Sequence, residues 1–141
     1  MIYKCWIVGM LALFCAATPP GAVAGSRFQA DFHTPPPGSA ERMQVLAVMR
    51  AKVAKLHGFD VVFVVRRMDI SKGWAWVHTL PRSRDGRSRY EDFYALLHKS
   101  NGRWRIAEIP CTEPDNPECI DSPDYFRSLR RRFPLMPDFD K

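Results

Sequence analysis

Phe93-Tyr94-Ala95-Leu96-Leu97-His98-Lys99-Ser100-Asn101-Gly102-Arg103-Trp104-Arg105-Ile106-Ala107-Glu108-Ile109 is the stretch that decides the fold. Asn101-Gly102 is the strongest hairpin signal in the chain, because a type I′ turn needs φ > 0 at both central residues. If Ser100 faces Arg103, the register puts Lys99 opposite Trp104, Leu97 opposite Ile106 and Ala95 opposite Glu108. Successive side chains of a strand point to opposite faces. Phe93, Ala95, Leu97, Trp104 and Ile106 therefore share one face. Tyr94, Leu96, Ala107 and Ile109 share the other, with His98 and Arg105 at its turn end. Both faces are apolar, so both need cover. The preceding strand spans Glu91 to Lys99, whose leucines would also suit a helix, and the following one Arg103 to Ile109.

Working outward, Pro81 to Arg89 is a polar connection carrying the turn dipeptide Asp85-Gly86. Before it, Trp74 to Leu80 alternates, with Trp74, Trp76, His78 and Leu80 on one side and Ala75, Val77 and Thr79 on the other. Ser71-Lys72-Gly73 turns the chain into this strand. Val61-Val62-Phe63-Val64-Val65 is β-branched and apolar on both faces, which predicts an interior strand. Further upstream the period becomes helical. Ser39 offers an N-cap, Ala40 to His57 forms the helix, and Gly58 follows as a residue that tolerates positive φ. Its expected apolar stripe is Met43, Leu46, Met49 or Ala47, Val53 and Leu56.

On the other side, Ser122-Pro123-Asp124 supplies a cap, a proline at the first helical position and an acid. Phe126, Leu129 and Phe133 then line one side of a short helix, with Arg127, Arg130, Arg131 and Arg132 elsewhere around it. Pro134 ends it, and Leu135 and Phe139 are expected to tuck against the body. The predicted architecture is α+β: an N-terminal helix packed on a four-stranded antiparallel meander sheet, followed by a short C-terminal helix. It is cystatin-like or NTF2-like in outline. The long helix covers one sheet face; the other face, carrying Trp74 and Trp76, is expected to be covered only in part.

Gly38-Ser39 and Arg42 at the helix start, Phe63-Val64-Val65, Trp74-Ala75-x-Val77, Asp85-Gly86 and the Leu96-Leu97…Trp104 hairpin resemble a group of small uncharacterised bacterial periplasmic proteins. The resemblance runs from Pro37 to Ile109 and rests on core and turn residues. It implies the fold and the compartment, with no activity and no functional residues to carry over. The arginine-rich tail and the Cys111 to Cys119 loop fall outside it.

Residues 1–24 read as a signal peptide. Lys4 lies in the n-region, Cys5 to Ala17 is uninterruptedly apolar, and Ala22-Val23-Ala24 is a small-x-small cleavage pattern. The run is shorter than the ~20 residues that span a bilayer, and Thr18-Pro19-Pro20-Gly21 breaks it. A lipoprotein anchor at Cys15 is the rival, disfavoured by bulky Phe14. Residues 25–38 form a Pro-rich extended arm, with Thr34-Pro35-Pro36-Pro37-Gly38 polyproline-like. Residues 39–141 form a single α+β domain.

The formal charge is +6, or one less without Lys4, which is ordinary for a periplasmic protein although it favours acidic partners. Of four cysteines, Cys5 and Cys15 leave with the leader, and Cys111 and Cys119 remain to pair in an oxidising compartment. Their spacing excludes a Cys-x-x-Cys redox motif, and a zinc site would lack ligands. His33, His57, His78 and His98 include no His-x-His or His-x-x-x-His pair, so no metal site and no cofactor is expected. Gly-x-Ser-x-Gly and phosphate-binding glycine loops are absent.

Glu108 is the acid of most interest, since the register puts it beside Trp104 and Ile106. It serves there as an acid or base, or it pairs with Arg66 or Arg67. His98, near Arg105, is a general base or a strand-end surface histidine. Glu113, Asp115, Glu118, Asp121 and Asp124 lack the spacing of a calcium loop and are expected to neutralise the arginine cluster. That cluster is a solvated helix face or a contact for anionic lipid, glycan or nucleic acid. Trp74 and Trp76 are core or a stacking platform.

The leading expectation is a periplasmic or secreted, non-catalytic protein that binds a protein partner, or a second copy of itself, through the apolar sheet face. Candidate binding residues are Trp74, Trp76, His78, Tyr94, His98, Trp104 and Glu108. No nucleic acid partner and no stable membrane insertion after leader cleavage are expected. The alternatives are a small-ligand or acid–base enzyme of NTF2-like type using Glu108, His98 or Tyr94, and an inhibitor or immunity protein for a secreted toxin.

Overall fold

The computed structural model describes residues 31–140, so the leader reading over 1–24 lies outside the described residues. Helix α1 spans Ala40–His57, as the cap signals predict. The Arg42 N–H donates to Ser39 Oγ at 3.4 Å, and Gly58, at φ 75°, donates its N–H to the Ala54 carbonyl. Val45, Met49 and Val53 form the buried line. Met43, expected on that line, is instead 53% exposed, because its position on the helix is nearly opposite Val45. Leu56 does follow the line around the axis, yet it is also 53% exposed: the helix runs past the sheet there.

Strands β1 (Val62–Ser71), β2 (Trp74–Arg82), β3 (Phe93–Ser100) and β4 (Arg103–Glu108) form an antiparallel meander in the order β1-β2-β3-β4. Helix α2 follows at Tyr125–Arg132. The tight turns are Lys72-Gly73 (φ 49° and 76°) and Asn101-Gly102 (φ 50° and 74°), with the positive φ pair that a I′ turn requires. β1 is an edge strand, contrary to the interior position predicted. Phe63 and Val65 pack on the α1-side core while Val62 is 50% exposed, so a β-branched run apolar on both faces does not by itself mark a central strand. The residues read as a free arm help close that edge, because His33 and Ile70 exchange backbone hydrogen bonds of 2.9 Å.

The β3–β4 register agrees with prediction from the turn to Leu97 opposite Ile106, and then slips. Leu96, not Ala95, faces Glu108, so Ala107 is bulged. A bulge reverses the alternation. Glu108 thereby leaves the face of Trp104 and Ile106 for the opposite one.

Two cores result. On the α1 side, Val45 and Met49 pack over Met68, Ala75, Val77, Leu97 and Trp104. On the other, Trp74, Trp76 and Leu96 lie under Tyr125, Leu129, Met136 and Phe139. The second face is therefore closed over its tryptophans, a correction to the open face expected. The tail does this in a different register from that predicted: Met136 and Phe139 are buried while Leu135 is 84% exposed. Cys111 and Cys119 form a disulfide in the connection between β4 and α2.

Candidate functional site

Several of the sequence candidates are buried in the two cores. Trp74 is 7% and Trp76 2% exposed. Trp74 lies between His98, at 4.2 Å between ring centroids, and Phe133 at 5.6 Å. Trp76 meets the edge of Phe126 at 5.1 Å. Trp104 is buried on the α1 side, with Lys99 Nζ 5.4 Å from its ring centroid. All three are core aromatics: α2 and the tail cover Trp74 and Trp76, and α1 covers Trp104.

Glu108 accepts two hydrogen bonds from Arg132, at 2.7 Å from Nη1 and 2.8 Å from Nη2. The bulge at Ala107 aims it at α2, so its partner is Arg132 rather than Arg66 or Arg67. The hydrogen bond to Glu108 is the main reason the Arg132 guanidinium holds its proton more tightly than usual. Arg67 instead donates to Asp69 and to the Phe139 carbonyl, at 2.8 Å in the second case. Arg127 pairs with Asp124 and Arg130 with Asp138, so the arginines of α2 are only partly neutralised by the acidic loop. Among the described residues no group of three or more His, Cys, Asp or Glu side chains is arranged to hold a metal.

Two of the candidates do come together. His78 and Tyr94 are cross-strand partners whose rings stack at 4.2 Å and 13°. Asp92 joins them, with its Oδ2 2.7 Å from His78 Nε2 and accepting from Tyr94 Oη at 3.5 Å. Burial, then the charges of Asp92 and Asp121, raise the Tyr94 hydroxyl above its ordinary range. His98 and Glu108 are not part of this group. Asp92 is legible in the sequence as an acid close to the sheet, but it sits just before β3, where only the β2–β3 register reveals His78 as its neighbour.

The clearest recess lies on the other face, where α1 overruns the sheet. Val53, His57, Phe59, Val61, Pro81 and Tyr90 line a cleft of about 270 Å³, together with Glu91 and Phe93. Phe59 and Tyr90 stack at 4.8 Å across its mouth, and His57 approaches Phe59 at 5.7 Å. Asp60 and Arg84 form an ion pair of 2.8 Å near the rim. Phe59 and Tyr90 are each 39% exposed, and Leu56 and Val62, beside the lining residues in sequence, are 53% and 50% exposed. Five of its lining residues, Val53, Phe59, Val61, Pro81 and Phe93, are apolar, and its walls suit an aromatic or branched aliphatic group. Sequence reasoning missed Phe59 and Tyr90 because both stand outside regular elements and carry no periodicity. The chain matches no family model, no curated protein and no solved structure.

Proposed function

We propose that this chain is a periplasmic or secreted, non-catalytic binding protein whose contact surface is the open end of the α1–sheet sandwich. The observation that carries the reading is the stacked pair Phe59 and Tyr90, large rings each 39% exposed on the lining of one cleft. In this reading an apolar side chain of a protein partner enters the cleft and packs against the stacked Phe59–Tyr90 pair as the central anchor. The Cys111–Cys119 disulfide supports the oxidising compartment. A titration with an aromatic probe such as phenol, followed by backbone amide shifts, tests the site. Changes centred on Val53, Phe59, Val61 and Tyr90 and lost in Phe59→Ser support it; changes elsewhere, or none, reject it. Sedimentation of wild type and Phe59→Ser then separates self-association from binding to another protein.

A specific observation also favours an acid–base reading: Asp92 orients the His78 ring, and Tyr94 stands against both. The α1 cleft contains none of these three residues. The two readings thus predict different variants, Phe59→Ser for binding and His78→Gln for chemistry.

A further inference from the structure

Arg66, Arg82 and Arg89 converge on a second recess, of about 200 Å³, that also touches Pro81 and Tyr90. Each reaches it for a separate structural reason. Arg66 is the bulged residue of β1, with Val65 paired to Thr79 and Arg67 to His78. Arg82 ends β2 opposite Val62. Arg89 is tied to Arg82 by an isolated antiparallel bridge across the Ser83–Ser88 loop. Like charges brought together in this way repel unless something neutralises them.

Nothing in the described residues does so. Neighbouring basic groups are paired, Arg84 with Asp60 and Arg87 with Asp85. Arg66, Arg82 and Arg89 make no side-chain hydrogen bond or ion pair among the described residues. Arg82 Nε is buried and has no acceptor, a state that leaves the desolvation of a donor uncompensated. The one acid lining the recess is Asp92, whose carboxylate already faces His78 at 2.7 Å. Three guanidiniums with one engaged carboxylate leave an excess of positive charge and of planar, forked donors.

We infer that the recess framed by Arg66, Arg82 and Arg89 is an oxyanion site for a phosphate or sulfate group. A guanidinium presents parallel N–H donors matched to such oxygens, and three of them suit a dianion better than a single carboxylate. This site adjoins the apolar cleft through Pro81 and Tyr90 but rests on its own charged side chains, Arg66, Arg82 and Arg89, and its test does not depend on the cleft being occupied. The phosphate or sulfate is either a free ion or the charged group of a larger molecule; the chemistry at the arginines is the same.

The test compares the whole secreted chain with Arg66→Gln/Arg89→Gln. Both residues are exposed, so the variant keeps the fold, which far-ultraviolet circular dichroism verifies. Inorganic phosphate and sulfate are titrated at constant ionic strength, with chloride as the balancing ion, and binding is read by calorimetry and amide shifts. The expected result is saturable binding by wild type, weakened at least tenfold in the double variant and unchanged in Arg131→Gln, an exposed arginine of α2. In a second arm, vesicles of phosphatidic acid in phosphatidylcholine are compared with phosphatidylcholine alone. Sedimentation with the acidic vesicles that the double variant loses assigns the group to a lipid; binding of the free ions alone assigns it to a soluble ligand. If wild type and the double variant respond alike in both arms, or chloride competes as well as phosphate, the site does not exist.

Discussion

Replacing Phe139 by alanine tests how the second sheet face is closed. Phe139 is fully buried, stands 5.3 Å from Phe32 between ring centroids, and belongs to the cluster over Trp74 and Trp76. Removing a buried phenylalanine side chain costs about 3–5 kcal/mol, combining lost transfer free energy with the cavity left behind. The backbone hydrogen bond from Arg67 Nη2 to the Phe139 carbonyl is retained by alanine, so it does not inflate the loss. For a domain of about 110 residues, each kcal/mol shifts Tm by about 4 °C, which makes the expected drop roughly 12–20 °C. Leu135→Ala is the internal control. At 84% exposure it should change stability by less than about 0.5 kcal/mol. Urea unfolding monitored by tryptophan fluorescence gives both numbers, with Trp74 and Trp76 reporting directly on the cover. A loss below about 1 kcal/mol for Phe139→Ala, or an equal loss for Leu135→Ala, refutes the packed tail and reopens the face to partners.

The other predictions concern linkage, the disulfide and the α2 clamp. Burial pushes the Tyr125 hydroxyl well above the ordinary phenol range, and that oxygen has no hydrogen-bond partner among the described residues. Since the folded state keeps this proton when the unfolded chain releases it, stability is full below pH 10 and falls as pH rises beyond it, by up to ~1.4 kcal/mol per pH unit. Tyr125→Phe should flatten the alkaline limb and leave neutral-pH stability equal or higher; an unchanged limb in chemical denaturation counts against it. Replacing Cys111 and Cys119 with serine reopens their nine-residue loop and should cost about 2–3 kcal/mol by the chain-entropy account, with reduction of the wild type matching the double variant. Glu108→Gln should weaken the Arg132 clamp, and a double-mutant cycle with Arg132→Met should return a coupling of about 1 kcal/mol, since Arg132 is partly solvated. A coupling near zero means that the bidentate contact does not persist in solution.

Local chemistry was legible wherever a short segment controls its own geometry. Ser39 and Gly58 bound α1 because a side-chain acceptor and a glycine with positive φ act within one turn. Asn101-Gly102 determines the hairpin as far as Leu97 for the same reason. The face shared by Trp74, Trp76 and Tyr94 follows from alternation alone. Cys111 and Cys119 are bonded as expected.

What tertiary structure alone decided is every matter involving groups distant in the chain. The bulge at Ala107 follows no dipeptide signal, yet it turns Glu108 from a presumed core acid into the partner of Arg132, twenty-four residues away. Periodicity could not show that β1 is an edge, because a β-branched run apolar at successive positions occurs in edge and central strands alike. It could not choose between Leu135 and Met136 either, since a tail without regular structure has no period. The candidate sites illustrate the same division. Phe59 and Tyr90, or Arg66, Arg82 and Arg89, are unremarkable loop and strand-end residues until the end of α1, a bulge and a bridge place them side by side. The chain by itself determined the helix, the turns and the two-faced sheet, which depend on neighbours within a few residues. The closed tryptophan face and the recesses at the sandwich's open end depend on side chains meeting across the fold.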